Sequence, residues 1–108
     1  MNNINEIDVL ELKYKIDHNE EFTIIDVREL SEIAICKIEN AIHIPMMEIP
    51  NKINDLNKNK EFIIQCKSGA RSARVCEFLA HQGFINVKNL KGGILEWIKL
   101  IDPSQSSY

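Results

Sequence analysis

Short apolar runs and helical stripes take turns along this chain. Phe22-Thr23-Ile24-Ile25-Asp26-Val27 and Glu61-Phe62-Ile63-Ile64-Gln65 are β-branched and nearly all apolar. That is the pattern of strands buried on both faces of a parallel sheet. Asn3 to Ile7 reads as a first edge strand, Ala41-Ile42-His43-Ile44 as a short strand ended by Pro45, and Ile85 to Leu90 as another. Helical spacings lie between them. Asp8-Val9-Leu10-Glu11 carries the N-cap and N3 carboxylates of a capping-box start, and Val9, Leu12 and Ile16 follow on one face. Residues 46 to 56 read as a short amphipathic helix. Ala70 to His81 places Val75, Cys76, Leu79 and Ala80 on one side, with Gly83 as its stop. Gly92-Gly93 marks a turn, and Ile94 to Ile101 a last helix containing Trp97. Strands alternating with helices predict an α/β fold with a mostly parallel sheet. Ligands of such sheets gather at the carboxyl ends of strands. Attention therefore falls on the end of the Asp26 strand and on residues 65 to 71.

Composition bounds the picture. At 108 residues, 44% apolar and 27% charged, the chain has the size and make-up of one globular domain. It buries about two thirds of the surface that its unfolded form exposes. No repeat divides it. Residues 1–101 read as a single domain and Asp102-Pro103-Ser104-Gln105-Ser106-Ser107-Tyr108 as a poorly ordered polar tail. The net charge of -3 argues against a general nucleic-acid binder, which needs a basic face, and leaves room for a small anionic substrate. The start, Met1-Asn2-Asn3-Ile4-Asn5-Glu6, does not read as a leader sequence, so none is expected, and no run reaches the roughly 18 apolar residues of a membrane span. A cytoplasmic location is expected, with Cys36, Cys66 and Cys76 reduced. Their spacing holds no Cys-x-x-Cys pair, so neither a metal nor another cofactor is expected. Richness in Ile, Asn and Lys suits an AT-rich bacterial genome.

The candidate chemistry lies in Gln65-Cys66-Lys67-Ser68-Gly69-Ala70-Arg71-Ser72. A cysteine ends a buried strand, small residues follow, and a helix begins. This order can turn several backbone N–H groups towards one point, where they and the positive helix end hold an anion. A thiol placed there loses its proton below the free value of about 8.5. Lys67, Arg71 and Arg74 add positive charge, and Gly69 lets the backbone bend inward. The bland alternative is a small buried cysteine at a strand end.

The loop resembles the active-site loop of the rhodanese family. Asp26-Val27-Arg28-Glu29 with Glu32 is similar to that family's early acidic-basic motif. Ile38-Glu39-Asn40-Ala41-Ile42-His43-Ile44-Pro45 resembles its central stretch, and Gly83 to Gly93 with Trp97 its C-terminal signature. Together these cover about residues 7 to 100 in the family's order. The resemblance implies a rhodanese-like three-layer α/β fold, with a mostly parallel central sheet flanked by helices. It implies a sulfurtransferase in which Cys66 is the catalytic nucleophile. Cys66 would take the outer sulfur of thiosulfate or a polysulfide as a persulfide and pass it to cyanide or a thiol. Lys67, Ser68, Gly69, Ala70 and Arg71 would bind the anionic donor. Arg28, at the matching family position, would lie beside the pocket as a further donor contact. An Asp26–Arg28 ion pair at the sheet's end is the structural alternative for it. A protein sulfur donor or acceptor is a possible partner, and the expected state is a monomer. Cys36-Lys37 departs from the family, where Gly-His is usual, and His43 stands where Asn is common.

Other residues have plainer readings. Cys36 and Cys76 are expected to pack, His18 and His81 to be solvated, and Trp97 to sit in the core. Gly92-Gly93 is expected to support the loop. Two rival functions remain at this level. One is a small cysteine phosphatase or arsenate reductase, which uses five residues between cysteine and arginine where this chain has four. The other is a non-catalytic sulfur carrier or docking module.

Overall fold

Five parallel strands form one sheet in the order β1-β5-β4-β2-β3 in the computed structural model, which describes residues 4–108. The strands are β1 (Glu6–Ile7), β2 (Thr23–Asp26), β3 (Ile42–His43), β4 (Glu61–Gln65) and β5 (Asn86–Leu90). Asn3, expected to open the first strand, lies outside the described residues. β4 and β2, the two most apolar segments, occupy the middle of the sheet. They pair Thr23 with Phe62 and Asp26 with Gln65. Central placement suits them because both of their faces are covered.

The helices are α1 (Val9–Asp17), α2 (Leu30–Ile33), α3 (Ile49–Lys52), α4 (Ala70–His81) and α5 (Gly93–Leu100). Successive strand residues point to opposite faces, and two cores result. Ile25, Ile64, Cys66, Val75 and Leu79 pack on one face beneath α4 and α3. Leu12, Ile24, Ile63, Ile94 and Trp97 pack on the other beneath α1 and α5. Each fully buried Leu or Ile contributes about 1.5–3 kcal/mol through lost water contact. The three-layer α/β arrangement expected from the sequence is the one adopted.

α1 begins as the sequence indicates. The Asp8 carboxylate accepts from the Glu11 N–H at 2.8 Å and the Asp8 N–H donates to the Glu11 carboxylate at 3.0 Å. Three local expectations change. Residues 46–55 form a 3-10 turn, the four-residue α3 and a second 3-10 turn instead of one helix. Pro50, within α3, has no N–H to carry a longer helical ladder. The single-turn α2 follows β2 where no helix was predicted.

The third change concerns residues 102–108, expected to trail as a poorly ordered tail. They fold back on the domain. Gln105 accepts from the Lys37 N–H and donates to the Lys37 carbonyl, both at 2.8 Å. Tyr108 packs beside the α1/α5 core. The turn at Cys36-Lys37 is thus held by a segment nearly seventy residues away in sequence. No helix among the described residues is long and apolar enough to cross a membrane.

Candidate active site

β4 ends at Gln65, and Cys66 follows at the carboxyl edge of the sheet with 1% of its surface exposed. The chain then turns through Lys67, Ser68 and Gly69 into α4. Gly69 takes φ +117°, a left-handed conformation that side chains disfavour. This bend brings donors to the sulfur. Cys66 Sγ accepts from the Gly69 N–H at 3.1 Å, the Ser72 N–H at 3.4 Å and the Ser72 hydroxyl at 3.2 Å. Burial alone would push the thiol's pKa up. The Ser72 side chain, then the N–H groups of Ser72, Gly69 and Ser68, outweigh it, and the pKa falls below its usual value. The groups that favour the thiolate are therefore neutral donors.

α5 explains why the loop amides are free to face inward. Its N-terminal amides bond the loop carbonyls from outside: Ile94 N–H to Cys66 O at 3.0 Å and Leu95 N–H to Lys67 O at 3.2 Å. Gly93 makes this approach possible. A Cβ there would overlap the Lys67 carbonyl and stand 2.7 Å from the Cys66 oxygen. The supporting part expected of Gly92-Gly93 has this physical form.

Asn89, on β5, is a site residue that the sequence reading did not single out. Its Oδ1 is 2.5 Å from the Ser72 hydroxyl, and its Nδ2 donates to the Gly69 carbonyl at 3.2 Å. Ser72 itself is fully buried. Its one hydroxyl proton faces Asn89 Oδ1, Cys66 Sγ and the Gly69 carbonyl, and only one can receive it at a time.

Of the cations expected to add positive charge, Arg71 and Lys67 have protein partners, while Arg74 is exposed. Arg71, on the first turn of α4, is partly exposed and grips Glu32 of α2 with both terminal nitrogens, at 2.7 and 2.8 Å. Arg71, followed by a hydrogen bond from Tyr108, holds the Glu32 carboxyl far below the usual carboxylate range despite partial burial. Lys67 places Nζ 4.4 Å from the centre of the Tyr108 ring. Ser68 and Ala70 are exposed on the loop and contribute backbone alone.

Arg28 was expected beside the pocket as a donor contact, and the structure corrects this. It has no exposed surface. Its Nε bonds Asp26 Oδ1 at 3.0 Å and its Nη2 bonds Asp26 Oδ2 and the Cys36 carbonyl, each at 2.8 Å. Its Nη1 serves the Glu32 carbonyl at 3.3 Å and the Tyr108 hydroxyl at 3.0 Å. A fully desolvated guanidinium with every edge occupied is a structural tie, and the Asp26–Arg28 ion pair is its main bond.

None of the histidines or other cysteines hydrogen-bonds Cys66 among the described residues. His43 Nε2 lies 2.6 Å from the Arg28 carbonyl. Cys36 and Cys76 are buried in opposite cores, and burial pushes the Cys76 thiol up to about 12. His18 and His81 are exposed, while Trp97 is buried. A broad groove lined by Ile16, Phe22, Thr23, Ile38, Ile42 and Trp97 contains none of the loop residues.

Comparison with known proteins agrees with this geometry. The "Rhodanese-like domain" family profile matches residues 8–100. The chain is 47% identical over 94 residues to YtwF of Bacillus subtilis, covering 87% of this chain and 90% of that one. It is 38% identical over 96 residues to a protein of Allochromatium vinosum named "Sulfurtransferase", covering 89% and 90%. The crystal structure of a rhodanese-like domain protein from Staphylococcus aureus superposes with a TM-score of 0.83 at 37% identity, covering 97% and 99%. With the profile, the relatives and the fold in agreement over nearly its whole length, the chain belongs to the rhodanese-like domain family.

Proposed function

We propose that the chain is a rhodanese-type sulfurtransferase that moves sulfane sulfur from a persulfide, polysulfide or thiosulfate donor to a thiol or cyanide. The sulfur travels on Cys66 as a persulfide. One observation carries the reading: a buried sulfur at a strand end that receives the Gly69 N–H, the Ser72 N–H and the Ser72 hydroxyl. Family membership and a relative named as a sulfurtransferase support it. The protein is expected to work as a cytoplasmic monomer, with small sulfur species or a protein thiol as partners.

The steps balance without an added oxidant. The Cys66 thiolate attacks the outer sulfur of the donor, a new S–S bond forms, and the donor's own S–S bond breaks. Its electron pair leaves on sulfite or on a thiolate. The persulfide that results keeps a negative outer sulfur. The inward amides of Ser68, Gly69 and Ser72 hold that charge as an oxyanion hole holds oxygen. An acceptor thiolate or cyanide then attacks the outer sulfur, and Cys66 leaves as the thiolate. This is two-step covalent transfer with a good leaving group at each stage.

The phosphatase reading loses ground on Arg71. A tetrahedral phosphate needs an arginine fork turned towards the nucleophile, and this fork is spent on Glu32. The docking-module reading gives no reason for three donors converging on a cysteine sulfur.

The test is sulfur transfer from thiosulfate and from cysteine persulfide to cyanide, with Cys66→Ser alongside. Cyanide-discharged sulfur and a one-sulfur mass gain on the Cys66 peptide are expected in the native protein and absent in the variant. A native protein that takes sulfur from neither donor refutes the transfer reading.

A further inference from the structure

We propose that Glu32 and Tyr108 form a latch that withholds Arg71 and Lys67 from oxyanion donors, so that the site selects an alkyl persulfide over thiosulfate. The proposal rests on the sulfur-transfer reading and specifies its donor class.

Thiosulfate carries two negative charges, mostly on its three oxygens. To bring its outer sulfur onto a thiolate, the protein must neutralise those charges with free cations at the mouth. Of the cations near the loop, Arg28, Arg71 and Lys67 are each engaged, while Arg74, one turn further along α4, is exposed without an ion pair among the described residues. Arg28 is fully buried with all its N–H groups placed on protein acceptors. Arg71 spends its fork on the Glu32 carboxylate. Lys67 lies over the Tyr108 ring. A thiosulfate oxygen that reached Arg71 would also meet the charge of Glu32.

Tyr108 joins these parts. Its hydroxyl donates to Glu32 Oε2 at 2.7 Å and accepts from Arg28 Nη1 at 3.0 Å. Arg28 is anchored to Asp26 at the end of β2, so Tyr108 ties the carboxylate of Glu32 to that point. The Glu32 carboxylate is then fixed where it faces Arg71. The Tyr108 ring covers Lys67 from the same position. One side chain thus engages both the acid that occupies Arg71 and the lysine at the loop.

An alkyl persulfide makes smaller demands. Its leaving group is a thiolate with a single charge, and its carbon tail needs no cation. The segment after β2 carries Leu30 and Ile35 on either side of Glu32, and Met47 follows β3. These are exposed to 73%, 43% and 80%, so the segments that follow β2 and β3 leave apolar side chains open to solvent.

The experiment compares the rates at which thiosulfate and cysteine persulfide load sulfur onto Cys66, read by intact mass. The proteins are the native chain, Glu32→Gln, Tyr108→Phe and Tyr108→Ala. The native protein is expected to react faster with cysteine persulfide. The thiosulfate-to-persulfide ratio of kcat/KM is expected to rise about tenfold in Glu32→Gln, as Arg71 regains one charge-assisted bond for the donor. The rise should appear as a lower KM for thiosulfate. Tyr108→Ala, which also uncovers Lys67, should raise the ratio more than Tyr108→Phe. Tyr108→Phe changes a single oxygen and keeps the comparison available if Glu32→Gln folds poorly. A native preference for thiosulfate overturns the latch, as does an unchanged or lowered ratio in the variants. Loading from neither donor in any of the proteins overturns the transfer reading, and the latch with it.

Discussion

Replacing Ser72 with alanine isolates the charge-holding part of the site. The substitution removes a hydroxyl 3.2 Å from Cys66 Sγ and leaves the Gly69 and Ser72 N–H bonds in place. Alanine suits a helix interior, so the backbone of α4 has no reason to move. The hydroxyl's proton is contested. With a neutral thiol it favours Asn89 Oδ1, 2.5 Å away. With a thiolate it favours the sulfur, and Asn89 loses its donor. A hydrogen bond to a charged group contributes about 1.5–3 kcal/mol and a neutral one about 0.5–1.5 kcal/mol. The hydroxyl therefore favours the thiolate by a difference of about 1 kcal/mol. Ser72→Ala is expected to raise the Cys66 pKa. The measurement is the pH dependence of iodoacetamide alkylation on the Cys66 peptide, where the buried Cys76, pushed up to about 12, does not interfere. Asn89→Leu should move the midpoint the other way, because the hydroxyl then has one fewer competitor for its proton. A midpoint that stays or falls in Ser72→Ala would refute the reasoning, and would mean that the hydroxyl stays with Asn89 in both charge states.

Three further predictions follow from the same geometry. Gly93→Ala should destabilise the fold by about 3 kcal/mol or more, because its Cβ meets the Lys67 carbonyl and φ is +61°; a urea midpoint close to native would contradict the contact. Arg28→Lys should cost about 3 kcal/mol by leaving Asp26 and the Cys36 carbonyl short of donors, and unfolding unaffected by the change would return Arg28 to a solvent-facing part. Glu32 gives a pH signature: its carboxyl titrates far lower in the fold than in the unfolded chain. Its contribution to stability is therefore present in full above the ordinary carboxylate pKa of about 4.3 and is lost as the pH falls through the folded value. Native protein should lose more stability between pH 6 and pH 3 than Glu32→Gln, and equal losses would mean that Arg71 does not hold the charge.

The parts of the site that were legible in the sequence are those made by neighbours along the chain. Cys66, Gly69 and Ser72 fall within seven positions, and the end of β4, the turn and the first turn of α4 bring them together without help from elsewhere. The strands and α4 were readable for the same reason, since their apolar periods are local. α2 was missed because four residues show no period, although the spacing of Glu29 and Glu32, whose carboxylate accepts from the Glu29 N–H at 3.0 Å, was a local mark of it. Asn89 lies seventeen positions beyond Ser72, and its contact depends on β5 docking beside β4. Asp26, two residues before Arg28, was the available sign that the arginine would be consumed internally. Nothing local distinguishes Tyr108 from a solvated tail residue. Its contacts with Arg28 and Glu32 arise only when residues 102–108 fold back along the Cys36-Lys37 turn.

This division separates reactivity from selectivity. The sulfur's three hydrogen-bond donors come from Gly69 and Ser72, so the loop sequence carries the proposed nucleophile together with its partners. Neutral amides and a hydroxyl hold the charge, and the loop arginine does not have to touch the sulfur for the thiolate to form. Arg71 is left free to be regulated from outside, and Glu32 and Tyr108 do so from positions 39 and 37 residues away. A change at either one alters the electric field that a donor meets while the thiolate keeps its own partners. Two chains with the same loop can then have equally reactive cysteines and different donors. Alkylation rates of Cys66 should accordingly be nearly the same in native protein and Tyr108→Phe. Donor preference is expected to differ between them, and the two measurements together separate the nucleophile from its gate.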